Sequence, residues 1–203
     1  AGIRAAAERG ATHVLTVDQD SQFPDDYVAQ LLAAWTRAQQ QGLSPAAMGA
    51  AEFSGLTHRG AWHDGVMVVA ESIQSGTLFS VEALAGIGGF DESLVIDGVD
   101  TDACLRLADA GFDICVAPVE FDHALGEGHF VTVFGHQVWA SGHAPFRRYY
   151  ITRNGLLLLR RHGRRHPRWA LVSARRLVMA SLLAAKAPEQ RAAMRAGVKA
   201  AWR

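Results

Sequence analysis

The chain has 203 residues, of which 49% are hydrophobic, and its 20 basic residues balance its 20 acidic residues. This length and apolar content indicate one folded domain of ordinary size and exclude a disordered chain, and no uncharged apolar run is long enough to span a membrane. Because the N-terminus lacks the pattern of a secretory signal, and Cys104 and Cys115 suggest no disulfide framework, we expect a cytoplasmic protein.

The first predicted elements are a strand, an acidic turn and a helix. Residues 3–10 are typical of a helix end, and residues 13–17 are typical of a buried strand. The acidic turn Asp18–Asp20 follows this strand, and Pro24 then begins a helix. One face of this helix is predicted to carry the buried side chains Tyr27, Leu31, Leu32 and Trp35.

Short strands and helices alternate in the central part of the chain, which predicts an α/β layered fold. Cys104, Leu105 and Ala108 are expected to face the core from the second of these helices. The predicted elements are strands at 46–53, 66–71 and 114–117, a short helix after Ser80, a Gly88–Gly89 turn, an acidic loop at 91–99, a helix at 100–110, and a Gly/His-rich loop from His123 to Gly142.

The C-terminal part is basic and helical. Residues 128–203 carry 15 Lys+Arg and one acid, Glu189, whereas residues 1–127 carry 5 Arg and 19 Asp+Glu. Helices are predicted at 149–159 and 169–185. The second helix can pack on the domain with its arginines in water, or lie on an anionic membrane surface, and both interpretations stay open.

The acidic turn is a candidate cation site. Asp18 and Asp20 stand at i and i+2, so in an extended segment both carboxylates point to one side. They can converge on one hard cation, or on a ribose and a cation. Ligands of open α/β sheets gather beyond the carboxyl ends of strands, where this pair lies. Aspartates also end strands and cap helices, so the pair alone is a weak signal.

A second acidic group surrounds the predicted start of the helix at 100–110. Like charges this close together repel each other, so they require a cation, a basic partner or a raised pKa, which makes one of them a candidate general base. Asp100 and Asp102 can also serve only as helix caps. The group comprises Asp91, Glu92, Asp97, Asp100 and Asp102.

Two further features suit an anionic or metal ligand. His123 follows a predicted strand and is a candidate third metal ligand, although a single histidine is more often structural. The segment 147–154, with Arg153 and Asn154, offers cations and hydrogen-bond donors suited to phosphate, or is a solvated helix start. No P-loop, GxGxxG, HExxH or GxSxG motif occurs in the sequence, so the enzyme classes defined by those motifs lose their usual support.

Taken in order, these segments resemble glycosyltransferase family 2, in its bacterial rhamnosyltransferase-like branch. The matching stretches are 17–21 followed by Pro24, then 75–80, 88–92 running into 96–106, 123–126 and 148–154. The resemblance covers about residues 1–160. It implies a GT-A fold, a Rossmann-like α/β sandwich for nucleoside diphosphate sugars, at 1–145, followed by a basic helical C-terminal segment at 146–203.

The resemblance also implies residue roles. Asp100 matches the catalytic base. Val99 stands where many members have Glu, so Asp97 and Asp102 remain alternative candidates for the base. The implied donor-binding residues are Asp18, Gln19, Asp20, Arg153 and Asn154, the acceptor-side residues are Gly88, Gly89, Asp97 and Asp102, and the ligands of Mg²⁺ or Mn²⁺ are Asp20, Asp18 and His123.

The activity implied by the resemblance is inverting, metal-dependent transfer of L-rhamnose from dTDP-rhamnose to a hydroxyl of a polysaccharide or lipid-linked glycan precursor. The alternatives are transfer of another sugar, such as galactofuranose from UDP, and a catalytically silent module that binds polyanions or lipid. Peripheral contact of the basic C-terminal helix with the inner face of the plasma membrane stays open beside packing on the domain, and we expect no nucleic-acid partner. Family members have a nucleoside-binding strand and turn before the segment matching residue 1, so we expect this chain alone to bind donor weakly or not at all.

Overall fold

The computed structural model describes residues 2–123, 128–133, 136–141, 143–184 and 187–202, with no side chains described for 123–142. The chain forms two compact units. The first comprises Ala1–Asp91 and Val99–Ala124, and the second comprises Glu92–Gly98 and Leu125–Arg203.

The first unit is built on a mixed sheet with the strand order β1-β6-β3-β7-β2, where β4 also pairs with β3 and β5 with β7. The long strands β3 and β7 are parallel, and β6 is antiparallel to both β1 and β3. The α/β class predicted from the sequence is confirmed. The strands are β1 (His13–Thr16), β2 (Ser21–Gln22), β3 (Pro45–Phe53), β4 (Leu56–Thr57), β5 (Met67–Val68), β6 (Thr77–Ser80) and β7 (Asp113–His123).

Helices cover both faces of this sheet. Successive strand side chains point to opposite faces, so Met48 and Cys115 pack in a cluster with α2, while Ala47 and Ile114 pack in a second cluster with α3 and α4. The helices of this unit are α1 (Gly2–Glu8), α2 (Tyr27–Gln40), α3 (Val81–Gly86) and α4 (Val99–Asp109).

Several predicted details of the first unit were wrong. Leu32 is 42% exposed, because it lies one position beyond Leu31 and so about 100° away around the helix, and Ala34 and Ala38 complete the buried face of α2 instead. On α4, Leu107 is buried whereas Ala108 is only partly buried. The strand predicted at 66–71 is only two residues long, and the strand predicted at 114–117 extends over 113–123.

The described residues of the second unit form an antiparallel strand pair and three helices. The pair is β8 (Gly128–Val133) and β9 (His136–Ser141), so the prediction of a loop from His123 to Gly142 was wrong. Glycines and histidines obscured two short runs of β-branched and aromatic residues that favour strands. The helices are α5 (Pro145–His162), α6 (Pro167–Ala184) and α7 (Pro188–Ala201).

The three helices all have proline in their first turn, where its missing N–H costs no helical hydrogen bond. The sequence analysis did not predict α7. It packs closely on α5 at Gly197, where a Cβ atom would stand 2.7 Å from the carbonyl oxygen of Tyr149 and 3.0 Å from the Cβ atom of Thr152. Among the described residues, no helix is both long and apolar enough to cross a membrane.

Candidate active site

The acidic turn lies between β1 and β2 in the first unit. The backbone N–H of Asp18 donates to Ser75 Oγ at 3.1 Å, and Ser75 Oγ lies 2.6 Å from Ser21 Oγ. The backbone N–H of Ser21 donates to the carbonyl of Asp18 at 3.2 Å. Asp18, Gln19 and Asp20 themselves are exposed. The backbone of the turn is therefore fixed while its side chains face solvent.

The segment of Gln74 to Thr77 is fastened to the end of β1. Thr16 Oγ1 donates to the carbonyls of Gln74 and Thr77, and the N–H of Gly76 donates to the carbonyl of Thr16 at 2.8 Å. Tyr27 Oη donates to the carbonyl of Gly76 at 2.6 Å. Gly76 has φ +73°, and a Cβ atom there would stand 2.7 Å from Tyr27 Oη, so this position requires glycine.

Asp100 stands in the first turn of α4, also in the first unit. Its carboxylate accepts a hydrogen bond from the backbone N–H of Thr101 at 2.8 Å, and another from the backbone of Gln74. Burial raises the pKa of Asp100 above its usual value and the negative charge of Glu71 raises it further, whereas hydrogen bonds from the backbone of Thr101, of Gln74 and of Asp100 itself oppose this rise. A carboxyl group of this kind binds a proton more strongly than an ordinary aspartate.

The acidic turn and Asp100 are therefore attached to two consecutive residues. Ser75 holds the backbone of Asp18, and Gln74 holds the carboxylate of Asp100. The structure thus connects two motifs that are widely separated in the sequence. This arrangement places a candidate cation site and a candidate base within one unit and on one common support.

The pairing of β2 with β7 brings the backbone of His123, the third predicted metal ligand, next to the end of the acidic turn. Ser21, the residue after Asp20, is opposite His123 in the antiparallel register. Paired residues of such strands have Cα atoms about 4.5–5.5 Å apart. The side chain of His123 lies outside the described residues. Among the side chains that are described, no group of three or more His, Cys, Asp or Glu is placed to hold a metal ion.

The candidate metal ligands nevertheless suit Mg²⁺ or Mn²⁺. Asp18 and Asp20 offer exposed carboxylates on a fixed backbone, and the strand that ends at His123 runs alongside. Both ions accept carboxylate ligands, and Mn²⁺ also accepts imidazole.

Asp102 is buried and forms an ion pair with Arg106, one turn later on the same helix. Its side chain is 1% exposed, and its Oδ2 atom accepts from Arg106 Nε at 2.7 Å. The other guanidinium nitrogens donate to the carbonyls of Ile87 and Gly89 at 2.7 and 2.8 Å. Asp102, predicted on the acceptor side, therefore supports the turn of Gly88 and Gly89 through Arg106.

In the second unit, α5 holds the loop Glu92–Gly98. Asn154 is 1% exposed, and its Nδ2 atom lies 2.8 Å from each of three carbonyl oxygens. Arg153 donates to the carbonyl of Ser93. These two residues were predicted to bind the donor, and the hydrogen bonds described for them are with this loop. The carbonyls that Asn154 binds belong to Leu94, Ile96 and Asp97.

A basic group stands at the start of α5. Arg147 donates to both carboxylate oxygens of Asp97, with contacts of 3.0 to 3.2 Å, and this bonding raises the pKa of Arg147. Arg148 is 5% exposed, and burial lowers its pKa. Burial, followed by the charges of Arg147 and Arg148, also lowers the pKa of His143, which favours its neutral form.

No family model matches the chain. The chain is 30% identical to "dTDP-rhamnosyl transferase RfbF" of Shigella flexneri over 174 residues, which cover 79% of this chain and 58% of that protein. The chain is related to a rhamnosyltransferase. It spans somewhat more than half of that relative's length. The relationship agrees with the glycosyltransferase resemblance of the ordered motifs.

The residues that support the site had no predicted role. Ser75 begins one of the stretches that match the family, but neither Ser75 nor Gln74 is charged, and their role becomes visible only through their hydrogen bonds. The burial of Arg148 was also missed, because a basic pair at a helix start normally indicates a solvated surface. Burial of this arginine depends on packing that the local sequence does not specify.

Proposed function

We propose that this chain carries the catalytic chemistry of an inverting, metal-dependent glycosyltransferase of family 2 with a GT-A fold. The observation that carries the proposal is the common attachment of the acidic turn and Asp100 to Gln74 and Ser75. Transfer from a nucleoside diphosphate sugar needs a group that holds the diphosphate and a base that acts on the acceptor, both held in a fixed geometry.

Asp18, Gln19 and Asp20, together with His123, are the residues that would hold the donor and its cation. When bound, Mg²⁺ or Mn²⁺ neutralises the negative charge that develops on the diphosphate leaving group. The hydrogen bonds of Asp18 and Ser21 to the turn and to Ser75 hold the turn in place before the ligand arrives. Less ordering is then required on binding.

Asp100 is the proposed base. Its carboxylate accepts the proton of an acceptor hydroxyl as that oxygen forms a bond to the anomeric carbon of the sugar. The bond between the anomeric carbon and the diphosphate oxygen breaks in the same step, and the electron pair leaves with the diphosphate. Attack from the opposite face inverts the configuration, so a β-linked donor gives an α-linked product.

The surroundings of Asp100 suit this role in two ways. Its raised pKa makes the carboxylate a stronger base than an exposed aspartate. The backbone donors Thr101 and Gln74 fix its orientation, which limits the positions from which an acceptor hydroxyl can be deprotonated.

The similarity to the relative is the basis for the donor sugar in this proposal. Similarity to a dTDP-rhamnosyl transferase favours dTDP-rhamnose as donor, and a hydroxyl of a polysaccharide or lipid-linked glycan as acceptor. Because pocket shape determines the choice of sugar, nucleotide preference is the first property to measure.

Saturation-transfer NMR, which detects weak ligands, tests the donor site. We expect dTDP to contact the 203-residue chain in the presence of Mg²⁺, which is diamagnetic and leaves the nucleotide signals observable, and more weakly without it. Asp20→Asn should abolish the metal-dependent part. Asp25→Asn, an exposed acid of the following turn, should leave it unchanged.

Two results would redirect the proposal. A preference for UDP over dTDP would retain the transferase and replace rhamnose by another sugar, such as galactofuranose. Absence of metal-dependent contact with either nucleotide, in a chain with native circular dichroism, would contradict the donor site and favour the catalytically silent module.

A further inference from the structure

Helix α6 exposes a regular line of side chains that contains both arginines and aliphatic residues. The line, called here the α6 stripe, consists of Arg168, Leu171, Arg175, Val178 and Leu182. The spacing of three and four residues places all five on one side of an α-helix.

The apolar members of the α6 stripe are unusually exposed. Leu171 is 74% exposed, Val178 57% and Leu182 63%, and the neighbouring Val172 is 49% exposed. On the opposite side of the helix, Trp169 is buried. The helix is therefore amphipathic, but its outward side presents aliphatic groups together with charge rather than charge alone.

No acidic residue neutralises the arginines from within the helix. Pro167–Ala184 contains no Asp or Glu, and residues 128–203 contain only Glu189. Five arginines at positions 164 to 176 stand on this helix or immediately before it, and all of them are exposed. The chemistry of the stripe is therefore complementary to a surface that is both anionic and apolar beneath its charges.

An anionic lipid bilayer has this combination. A helix of 18 residues is about 27 Å long and can lie in the plane of the interface with its aliphatic side chains below the headgroups. Arginine side chains can then extend to the lipid phosphates while their methylene groups remain in the apolar layer. Among the described helices, none is suited to crossing the bilayer, so contact in the interface plane is the applicable mode.

We propose that the α6 stripe docks this chain on an anionic lipid surface. The proposal does not depend on glycosyl transfer, because it requires neither nucleotide nor sugar. Simple packing of the helix on its own domain would bury the aliphatic members of the stripe. Their exposure therefore favours the membrane interpretation.

Flotation with lipid vesicles tests the proposal. The 203-residue chain should float with phosphatidylcholine vesicles that contain phosphatidylglycerol, and should not float with phosphatidylcholine alone. Leu171→Ser combined with Leu182→Ser should weaken binding at least tenfold. Leu32→Ser, an exposed leucine of α2 in the first unit, is the matched control and should have no effect.

The charges are tested separately. Arg168→Gln combined with Arg175→Gln should weaken binding more than about tenfold, since each arginine near an anionic surface contributes about fivefold. The loss should be largest at low salt. Arg9→Gln, an exposed arginine of the first unit, should bind as the unsubstituted chain does. All variants should keep their thermal unfolding midpoint, because the replaced side chains are exposed.

Several outcomes would overturn the proposal. The first is failure of the unsubstituted chain to float with anionic vesicles at low salt. The second is an equal loss of binding in the Leu32→Ser control. The third is concentration-dependent self-association that Leu171→Ser abolishes, without vesicle binding, which would assign the stripe to a second copy of the chain.

Discussion

Replacing Asn154 by alanine separates a structural role from a donor-binding role. The sequence predicts that Asn154 binds the donor, whereas the structure bonds its Nδ2 atom to three carbonyl oxygens of the loop Glu92–Gly98. Asn154→Ala removes those bonds without introducing a charge or a larger group. We expect a lower free energy of unfolding and a less protected loop.

The magnitude follows from counting the affected groups. The carbonyl of Leu94 keeps a second donor, the N–H of Ile96 at 2.7 Å, whereas those of Ile96 and Asp97 lose the donor described for them. The carbonyls of Ile96 and Asp97 are only partly buried, so losing this donor costs about 1 kcal/mol each, the lower end of the range for an unsatisfied group. The Oδ1 atom of Asn154 is itself buried without a partner in the described structure, and its removal returns part of this cost. The expected net loss is about 1–2 kcal/mol.

Backbone conformation explains why the loop should also change shape. Val95 has φ +65° and Asp97 has φ +62°, both in the left-handed region that β-branched and most other side chains disfavour. Such residues keep their conformation only when surrounding contacts enforce it. Once the amide is removed, we expect the loop to relax towards ordinary backbone angles.

Urea denaturation measures the loss of stability, and hydrogen exchange of peptides covering 92–98 measures the loosening of the loop. Gln40→Ala, which replaces an exposed amide at the end of α2, is the control and should change stability by less than about 0.5 kcal/mol. Unchanged stability and exchange in Asn154→Ala, with a higher KM for the sugar nucleotide, would refute the structural role.

Three further predictions concern the first unit. Asp100→Asn should reduce sugar transfer by about 10²–10⁴-fold and leave nucleotide contact intact, and loss of both would place Asp100 in the donor site instead. Because burial raises the folded-state pKa of Asp100, its favourable contribution to stability exists at low pH and is lost as pH rises through that pKa. Asp100→Asn should therefore raise the thermal midpoint at neutral pH but not at acidic pH. As the pH falls, the unsubstituted chain should begin to lose transfer activity at a higher pH than it would with an ordinary aspartate as base, because the carboxylate becomes protonated earlier. Arg106→Gln removes the ion-pair partner of the buried Asp102 and should lower the free energy of unfolding by about 3 kcal/mol in urea denaturation. Adding Asp102→Asn should restore part of that loss, and additive effects would contradict the pairing.

The parts of the fold with a strong local pattern could be predicted from the sequence. The strand before Asp18, the helix after Pro24 and the helix beginning near Asp100 all have periodic apolar positions next to clear start signals. The strand pair after His123 and the helix α7 could not, because their residues are mixed in character and their stability depends on neighbouring elements.

The candidate site shows the same division. Acidic residues beyond a strand can be identified as candidates from the sequence alone, although aspartates in this position also end strands and cap helices. Their attachment to Gln74 and Ser75 could not be predicted, because it depends on backbone atoms brought together by the pairing of β1 with β6. The same holds for Asn154, whose amide can suit either a ligand or a loop until its partners are known.

The two compact units alternate along the chain, and this restricts how the protein can be divided. Glu92–Gly98 belongs to the second unit although the residues on both sides belong to the first. A cut after residue 123 would remove Asn154, Arg147 and Arg153 and so deprive the loop of the contacts that α5 provides. The first unit is therefore not an exchangeable module, and recombination near this boundary would leave the loop that precedes Asp100, the proposed base, without the contacts that hold it.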